Sequence, residues 1–234
     1  MNSITQWLTR RSLPRSCSLC AQYHDGFDAI CNTCHEFLTP ILSACTYCAL
    51  PLPAGLFLTC GQCIQKKPFF DETTAPYAFE EPLRTLLHEF KYHHGLYLRS
   101  FLAKLIINNL PPHAFNTECL IPVPMHSEKL RQRGFNQAAE LAKYIGKALN
   151  ISCHLQASEK IIQTPPQAGL NASQRHRNLS NAFQAKALPY KRVAIIDDLL
   201  TTGSTANELA KTLKNQGVEH VSVWCCARVA DDRM

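Results

Sequence analysis

The sequence predicts an α/β fold, a central parallel sheet flanked by helices, preceded by a small Cys-rich zinc-binding domain. Two observations carry this. Eight of the twelve cysteines form four CxxC pairs within residues 17–63. The C-terminal part contains an apolar β-branched run, a loop of small residues, an amphipathic helix and a second apolar run, which is the pattern of a βαβ crossover. The chain has 234 residues, 46% hydrophobic and 18% charged, which excludes a largely disordered or collagen-like protein. No stretch approaches the roughly 18 apolar residues of a membrane-spanning helix. The opening MNSITQWLTRRSLPRS has neither the apolar segment nor the cleavage site of a secretory signal. The expected location is therefore cytoplasmic, the inner face of the membrane included. The expected organisation is a tail over 1–16, a zinc-binding domain over 17–68 and the α/β domain over 69–234.

The cysteine pairs are Cys17/Cys20, Cys31/Cys34, Cys45/Cys48 and Cys60/Cys63, beginning 14, 14 and 15 residues apart. Cytosolic thiols stay reduced, so clustered cysteines there bind metal or do redox chemistry. A CxxC turn offers two thiolates from one knuckle, and two knuckles complete the tetrahedral shell of structural zinc. Sequential, cross-braced and nested pairings all satisfy four ligands per ion, and one or two occupied sites are both compatible with the spacing. The sequential arrangement is favoured because 10 and 11 residues separate the inner cysteines of each half. Cys31 to His35 matches the CxxCH haem pattern, yet that reading leaves three pairs unexplained. A redox CxxC belongs beside a βαβ unit, which this region lacks. Tyr47, Phe57, Phe69 and Phe70 read as the minimal core of such a domain, with base stacking as the functional alternative.

Beyond Phe69 the pattern changes. Ala75–Glu80 reads as a short edge strand. Leu83, Leu86, Leu87 and Phe90, then Phe101, Leu102, Leu105 and Ile106, fall at helical spacing, with a break near Gly95. Cys119–Val123 predicts a buried strand, followed by a basic loop over Lys129–Gln137. A helix follows, with Ala138, Leu141, Ala142, Ile145 and Leu149 inward and an end near Asn150. Residues 156–190 have no period and read as a lid. Val193–Ile196 has the continuous apolar character of a central parallel strand. After Thr201–Thr205 a helix carries Ala206, Leu209, Ala210 and Leu213, with Gly217 at its end, and Val218–Val229 supplies the next strand.

The formal charge of +6 is uneven. Residues 121–192 contain eleven Lys or Arg and three Glu, whereas the rest of the chain sums to −2. A basic field of this kind favours phosphates, in nucleotides or in a nucleic-acid backbone. The run from Asp197 to Thr205 ends a strand and opens a helix, where ligands of open α/β sheets bind. Its backbone N–H groups, hydroxyls and helix dipole suit one phosphate. No Walker lysine is present. Asp197 and Asp198 suit ribose hydroxyls, directly or through Mg²⁺. Arg175 and Arg177 in the lid, with His176 between them, suit pyrophosphate or a DNA backbone. His93 and His94, and Trp7 with Arg10, Arg11 and Arg15, read as exposed or terminal residues.

The thirteen residues VAIIDDLLTTGST, Val193 to Thr205, resemble the phosphoribosyl-pyrophosphate (PRPP) motif of type I phosphoribosyltransferases. That resemblance implies a phosphoribosyltransferase-like sheet. It also implies Asp197 and Asp198 on the ribose, Thr201, Thr202, Gly203, Ser204 and Thr205 around the 5-phosphate, and Lys129, Arg131 and Arg133 near pyrophosphate. The four knuckles together with RQRGFNQA, QAGLNASQRHRNLSNAF and IIDDLLTTGST resemble the ComF family of bacterial DNA-uptake proteins from Cys17 to about Val229. This implies a protein handling incoming single-stranded DNA, with zinc in place of a nucleobase-binding hood and Mg²⁺ accompanying any PRPP. No residues for an acceptor are identifiable, so an enzyme is one alternative among three. The others are a DNA-handling protein with a regulatory phosphate pocket, and a zinc-dependent adaptor for other uptake or recombination proteins.

Overall fold

A computed structural model describes residues 15–26, 28–55, 58–92, 95–161 and 182–230. The chain begins with a hairpin, β1 (Arg15–Ser16) and β2 (Tyr23–His24), and two short helices, α1 (Asn32–Glu36) and α2 (Gly61–Gln65). There follow β3 (Glu72–Thr74), β4 (Tyr77–Ala78), α3 (Leu83–Tyr92), α4 (Arg99–Ile107) and β5 (Cys119–Pro122). Next come α5 (Ser127–Arg133), α6 (Gln137–Leu149), β6 (Ser152–Cys153), β7 (Ser158–Lys160) and β8 (Phe183–Ala185). The last elements are β9 (Arg192–Ile196), β10 (Leu199–Leu200), α7 (Ser204–Asn215), β11 (His220–Trp224) and β12 (Ala227–Arg228).

The expected α/β class and parallel sheet are present. Five strands pair in the order β3-β11-β9-β5-β6, every pair parallel. Alternation along each strand divides the core. Leu120, Ala194, Ile196 and Trp224 face α3, α4 and α6, whereas Ile121, Val193, Ile195, Val221 and Val223 face α7. The chain leaves β5 outward to β6 and resumes on the other side at β9, so the winding reverses between β5 and β9. A crevice at the carboxyl ends of these two strands is where such sheets take ligands.

Several local expectations require correction. The edge strand expected within Ala75–Glu80 is present but shorter, as β4, which pairs with β12 at the edge of a small separate sheet; the residues just before it form β3 of the main sheet. Val218–Val229 is not one strand but divides into β11 and β12. The basic stretch after β5 is helical. His126 Nδ1 accepts from the Glu128 N–H to start α5, and Gly134 at φ +80° ends it. With Leu130 as its lone aliphatic residue, this helix has no apolar period for sequence reading to detect. The borders of the expected lid, β7 and β8, pair antiparallel; residues 162–181 lie outside the described residues.

Both cysteine units are packed onto the sheet domain. Cys17, Ile30 and Leu38 join the core beside α3 and α4, and the Lys104 ammonium meets Asp28 at 2.5 Å. Ala49 and Phe70 join the opposite core beside α7.

Candidate functional site

The cysteines assemble as two groups of four, Cys17/Cys20/Cys31/Cys34 and Cys45/Cys48/Cys60/Cys63, with the sulfurs of each within 4.8 Å of one another. This is the sequential pairing. Cys20 and Cys31 sulfurs are 3.9 Å apart, and Cys48 and Cys60 sulfurs 3.6 Å. Tetrahedral zinc with bonds of about 2.3 Å sets its sulfurs about 3.8 Å apart, so the donor type and spacing fit structural zinc. N–H groups of Leu19 and Cys31 each point at the Cys17 sulfur at 3.4 Å. Despite burial, the bond from the Cys20 N–H together with these two holds the Cys17 thiol down to about 6, which favours the ligating thiolate.

The two units are one design used twice. In each, the residue after the first knuckle, Ala21 or Ala49, takes a left-handed conformation and donates its N–H to the carbonyl of Cys17 or Cys45. Ser18 and Thr46 each bond a distant carbonyl, Ala29 or Leu58, through both backbone N–H and hydroxyl. The second knuckle of each opens a short helix, α1 or α2. The sequences Cys17-Ser-Leu-Cys-Ala21 and Cys45-Thr-Tyr-Cys-Ala49 contain this duplication, which attention to cysteine spacing alone overlooks.

At the carboxyl end of β9 the acidic pair follows directly. Asp197 donates its N–H to the Trp224 carbonyl at 3.0 Å, and its Oδ1 accepts from the Asp198 N–H at 2.9 Å. Burial, with the Asp198 carboxylate beside it, pushes Asp197 up to about 8. Asp198, which is buried, meets the Lys91 ammonium at 2.6 Å. Burial opposes the charge on Lys91, but the Asp198 carboxylate prevails and raises its pKa above the ordinary value. Lys91 closes α3, and the sequence gives no sign of this role because its partner lies far along the chain. Cys225 and Cys226 sit behind the pair, where burial pushes both thiols well up and leaves them unreactive.

The loop Thr201–Thr205 turns at Gly203, whose φ of +74° suits glycine and caps α7. The Thr202 and Ser204 hydroxyls are 2.8 Å apart, and Thr202 Oγ1 also accepts the Ser204 N–H at 3.4 Å. Thr202 is exposed, and Ser204 and Thr205 are half-buried at the start of a twelve-residue helix. Such a start gathers N–H and O–H donors around one point and disposes them to an anion.

The sheet brings the basic helix to the same edge, because α5 follows β5, the neighbour of β9. Arg133 lies 4.6 Å over the Tyr92 ring and donates to its hydroxyl at 2.9 Å. Gln137 donates to the Lys91 carbonyl at 3.2 Å, so Arg133 is tied to the end of α3 that neutralises Asp198. Lys129 acts elsewhere. Burial, with the charge of Lys129 nearby, draws Lys160 on β7 down to about 8. Arg131 is exposed on α5. Arg175, His176 and Arg177, together with His93, His94, Trp7 and Phe57, lie outside the described residues. A cavity of about 750 Å³ lies between α5, the start of α6 and the β7–β8 hairpin, lined by Pro124, Phe135, Lys143, Leu155, Lys160 and Lys186 among others. It adjoins the loop after β5, and none of Asp197 to Thr205 lines it. No helix among the described residues is long and apolar enough to cross a membrane.

Comparison with known proteins gives consistent relatives. The chain is 32% identical to competence protein F of Haemophilus influenzae over 214 residues, covering 88% of this chain and 93% of that protein. It is 32% identical to the DNA utilization protein YhgH of Salmonella typhimurium over 228 residues, covering 93% and 98%. Competence protein ComFC of Streptococcus pneumoniae is 21% identical over 154 residues, covering 66% and 67%. No family model matches the chain.

Proposed function

Because this chain belongs to the ComF family, we propose that it serves DNA uptake, handling incoming single-stranded DNA in the cytoplasm and binding PRPP or a related phosphorylated ligand. One observation carries the reading. At the point where the sheet reverses its winding, a paired acidic turn and a hydroxyl-rich loop share an edge with a basic helix. The acids suit ribose hydroxyls, with Mg²⁺ able to accompany a pyrophosphate. The loop N–H groups and hydroxyls suit a terminal phosphate. Arg131, Arg133 and Lys129, with Arg175 and Arg177 of the sequence, supply the charge for further phosphates. The two Cys₄ units take the role of structural zinc sites.

Fluorescence anisotropy of labelled single- and double-stranded DNA, with and without PRPP and Mg²⁺ at two salt concentrations, tests this. Salt-sensitive single-strand binding that PRPP competes away is the expected result. No DNA binding at either salt concentration refutes the DNA role, and unchanged binding in a quadruple alanine variant of Arg131, Arg133, Arg175 and Arg177 refutes those contacts.

A second reading, transfer of phosphoribose to an acceptor, is favoured by the cavity beside the loop after β5, which offers space for one. Its signature is Mg²⁺- and acceptor-dependent pyrophosphate release that disappears in Asp198→Asn. Absence of turnover across a broad panel of bases and amines refutes it.

A further inference from the structure

The two cysteine units are alike in construction but unlike in what they touch. The first packs into the core beside α3 and α4. The second is bonded to the phosphate-type loop itself, through a residue at the far end of the chain. Arg228, in β12, is only 6% exposed. Its Nε donates to the carbonyl of Cys48, in the first CxxC knuckle of the second unit, at 2.8 Å. Its Nη1 donates to the carbonyls of Leu200, at 3.3 Å, and of Thr201, the first residue of the TTGST loop. The same nitrogen reaches the Val229 carbonyl. A planar guanidinium with fixed donor directions thus holds a metal knuckle and a ligand loop at a set separation.

Two further contacts run in parallel. Phe70, seven residues beyond Cys63 and 2% exposed, lies under Gly203, where a Cβ would stand 3.6 Å from its ring. The Phe69 N–H bonds the Asn207 side chain in the first turn of α7 at 2.6 Å. Thr46, within the first knuckle of the second unit, accepts the Thr73 N–H at its carbonyl at 3.1 Å and so fixes the strand that leads out of this segment. None of the bonds or packing contacts given above links the first unit to this loop.

We propose that the second cysteine unit is the seat of the phosphate loop, and that Arg228 is the positioning residue fastening one to the other. The proposal rests on the phosphate reading given under "Proposed function", although its mechanical part is open to measurement without any ligand. Donors aimed at a phosphate lose effect when displaced by a fraction of an ångström, because hydrogen bonds weaken steeply with geometry. A knuckle that loses its metal frees the Cys48 carbonyl to move, and Arg228 passes that movement to Thr201. Among the described residues, no hydrogen bond given above ties the first unit to Thr201–Thr205.

The test uses the full chain in three variants, Cys20→Ser in the first unit, Cys63→Ser in the second and Arg228→Lys. The last keeps the charge and stem but loses the fork. Zinc content, circular dichroism, calorimetric binding of PRPP with Mg²⁺ and hydrogen exchange at residues 201–205 are measured on each. We expect Cys63→Ser and Arg228→Lys to weaken PRPP at least fivefold and to speed loop exchange, and Cys20→Ser to remain within twofold of the parent in both. If Cys63→Ser does not fold, Arg228→Lys decides. Folded Arg228→Lys with PRPP affinity and loop exchange within twofold of the parent overturns the proposal. So does a Cys20→Ser effect equal to that of Cys63→Ser. If the parent binds no PRPP, the phosphate reading fails by itself, and exchange at 201–205 then decides the mechanical tie.

Discussion

Removing the ammonium of Lys91 while keeping its stem, as in Lys91→Met, leaves the Asp198 carboxylate buried without its counter-charge. At 2.6 Å and an effective dielectric of about 20, the attraction amounts to about 6 kcal/mol. Desolvation of both ions offsets much of this. Experience with buried pairs puts the cost of deleting one partner at about 3–5 kcal/mol. The lysine side chain is 22% exposed and the aspartate 8%, so water relieves part of the loss and we expect about 3 kcal/mol. For a chain of this size that is a fall in Tm of roughly 6–12 °C. Urea unfolding of Lys91→Met, Asp198→Asn and the double variant forms a double-mutant cycle. The single Asp198→Asn should cost less, since the freed lysine reaches solvent more easily than the freed carboxylate. The double variant should return to within about 1.5 kcal/mol of the parent, because no unpaired charge remains there. A Lys91→Met loss below about 1 kcal/mol, or strictly additive single losses, refutes the view that Lys91 exists to neutralise Asp198.

Elemental analysis should find two zinc ions per purified chain and one in Cys20→Ser, given two separate four-sulfur groups; a single zinc in the parent contradicts independent sites. Asp197 keeps its proton in the fold up to about pH 8 but loses it near pH 4 when unfolded. Between these values the folded chain binds more protons, so stability should fall as pH rises from 5 to 8. Thermal scans of Asp197→Asn should show that slope flattened, and an unchanged slope assigns it to other groups. Asn136 accepts the N–H groups of Ala138 and Ala139 and donates to the Val123 carbonyl. Asn136→Ala should cost about 1–2 kcal/mol, read as roughly 2–8 °C in Tm, and Asn136→Asp should keep the helix cap and recover part of the loss. Equal Tm values in all three chains refute the capping role.

What was legible in the sequence is what local chemistry dictates. A run such as Val193–Ile196 buries on both faces and so declares a central strand. Regular CxxC spacing declares knuckles and favours their pairing with the nearest partner. The acidic turn and the hydroxyl loop are contiguous, so the sequence displays them side by side before any folding. Partners brought together only by the folded sheet were not legible. Lys91 finds Asp198, and Arg228 finds Cys48 across 180 residues. No periodicity encodes such pairs. Helix α5 went unseen for the opposite reason, since a short surface helix makes little demand on residue type, and its start and end rest on His126 and Gly134.

The edge strand β3 bears on how the chain is made. It lies in the first third of the sequence, but its strand partner among the described residues is β11, and Asp71 beside it bonds the Val221 N–H across 150 residues. A ribosome adding about 5–20 residues per second leaves this edge without its neighbour for roughly 8–30 s. During that interval each cysteine unit has local bonds of its own to rely on, such as those from the Ala21 and Ala49 N–H groups to the Cys17 and Cys45 carbonyls, while its packing partners on the sheet are still to come. Metal supply at the moment of synthesis therefore bears on yield before any ligand is met, and chains made in zinc-depleted cells should partition to aggregates more than chains depleted after completion.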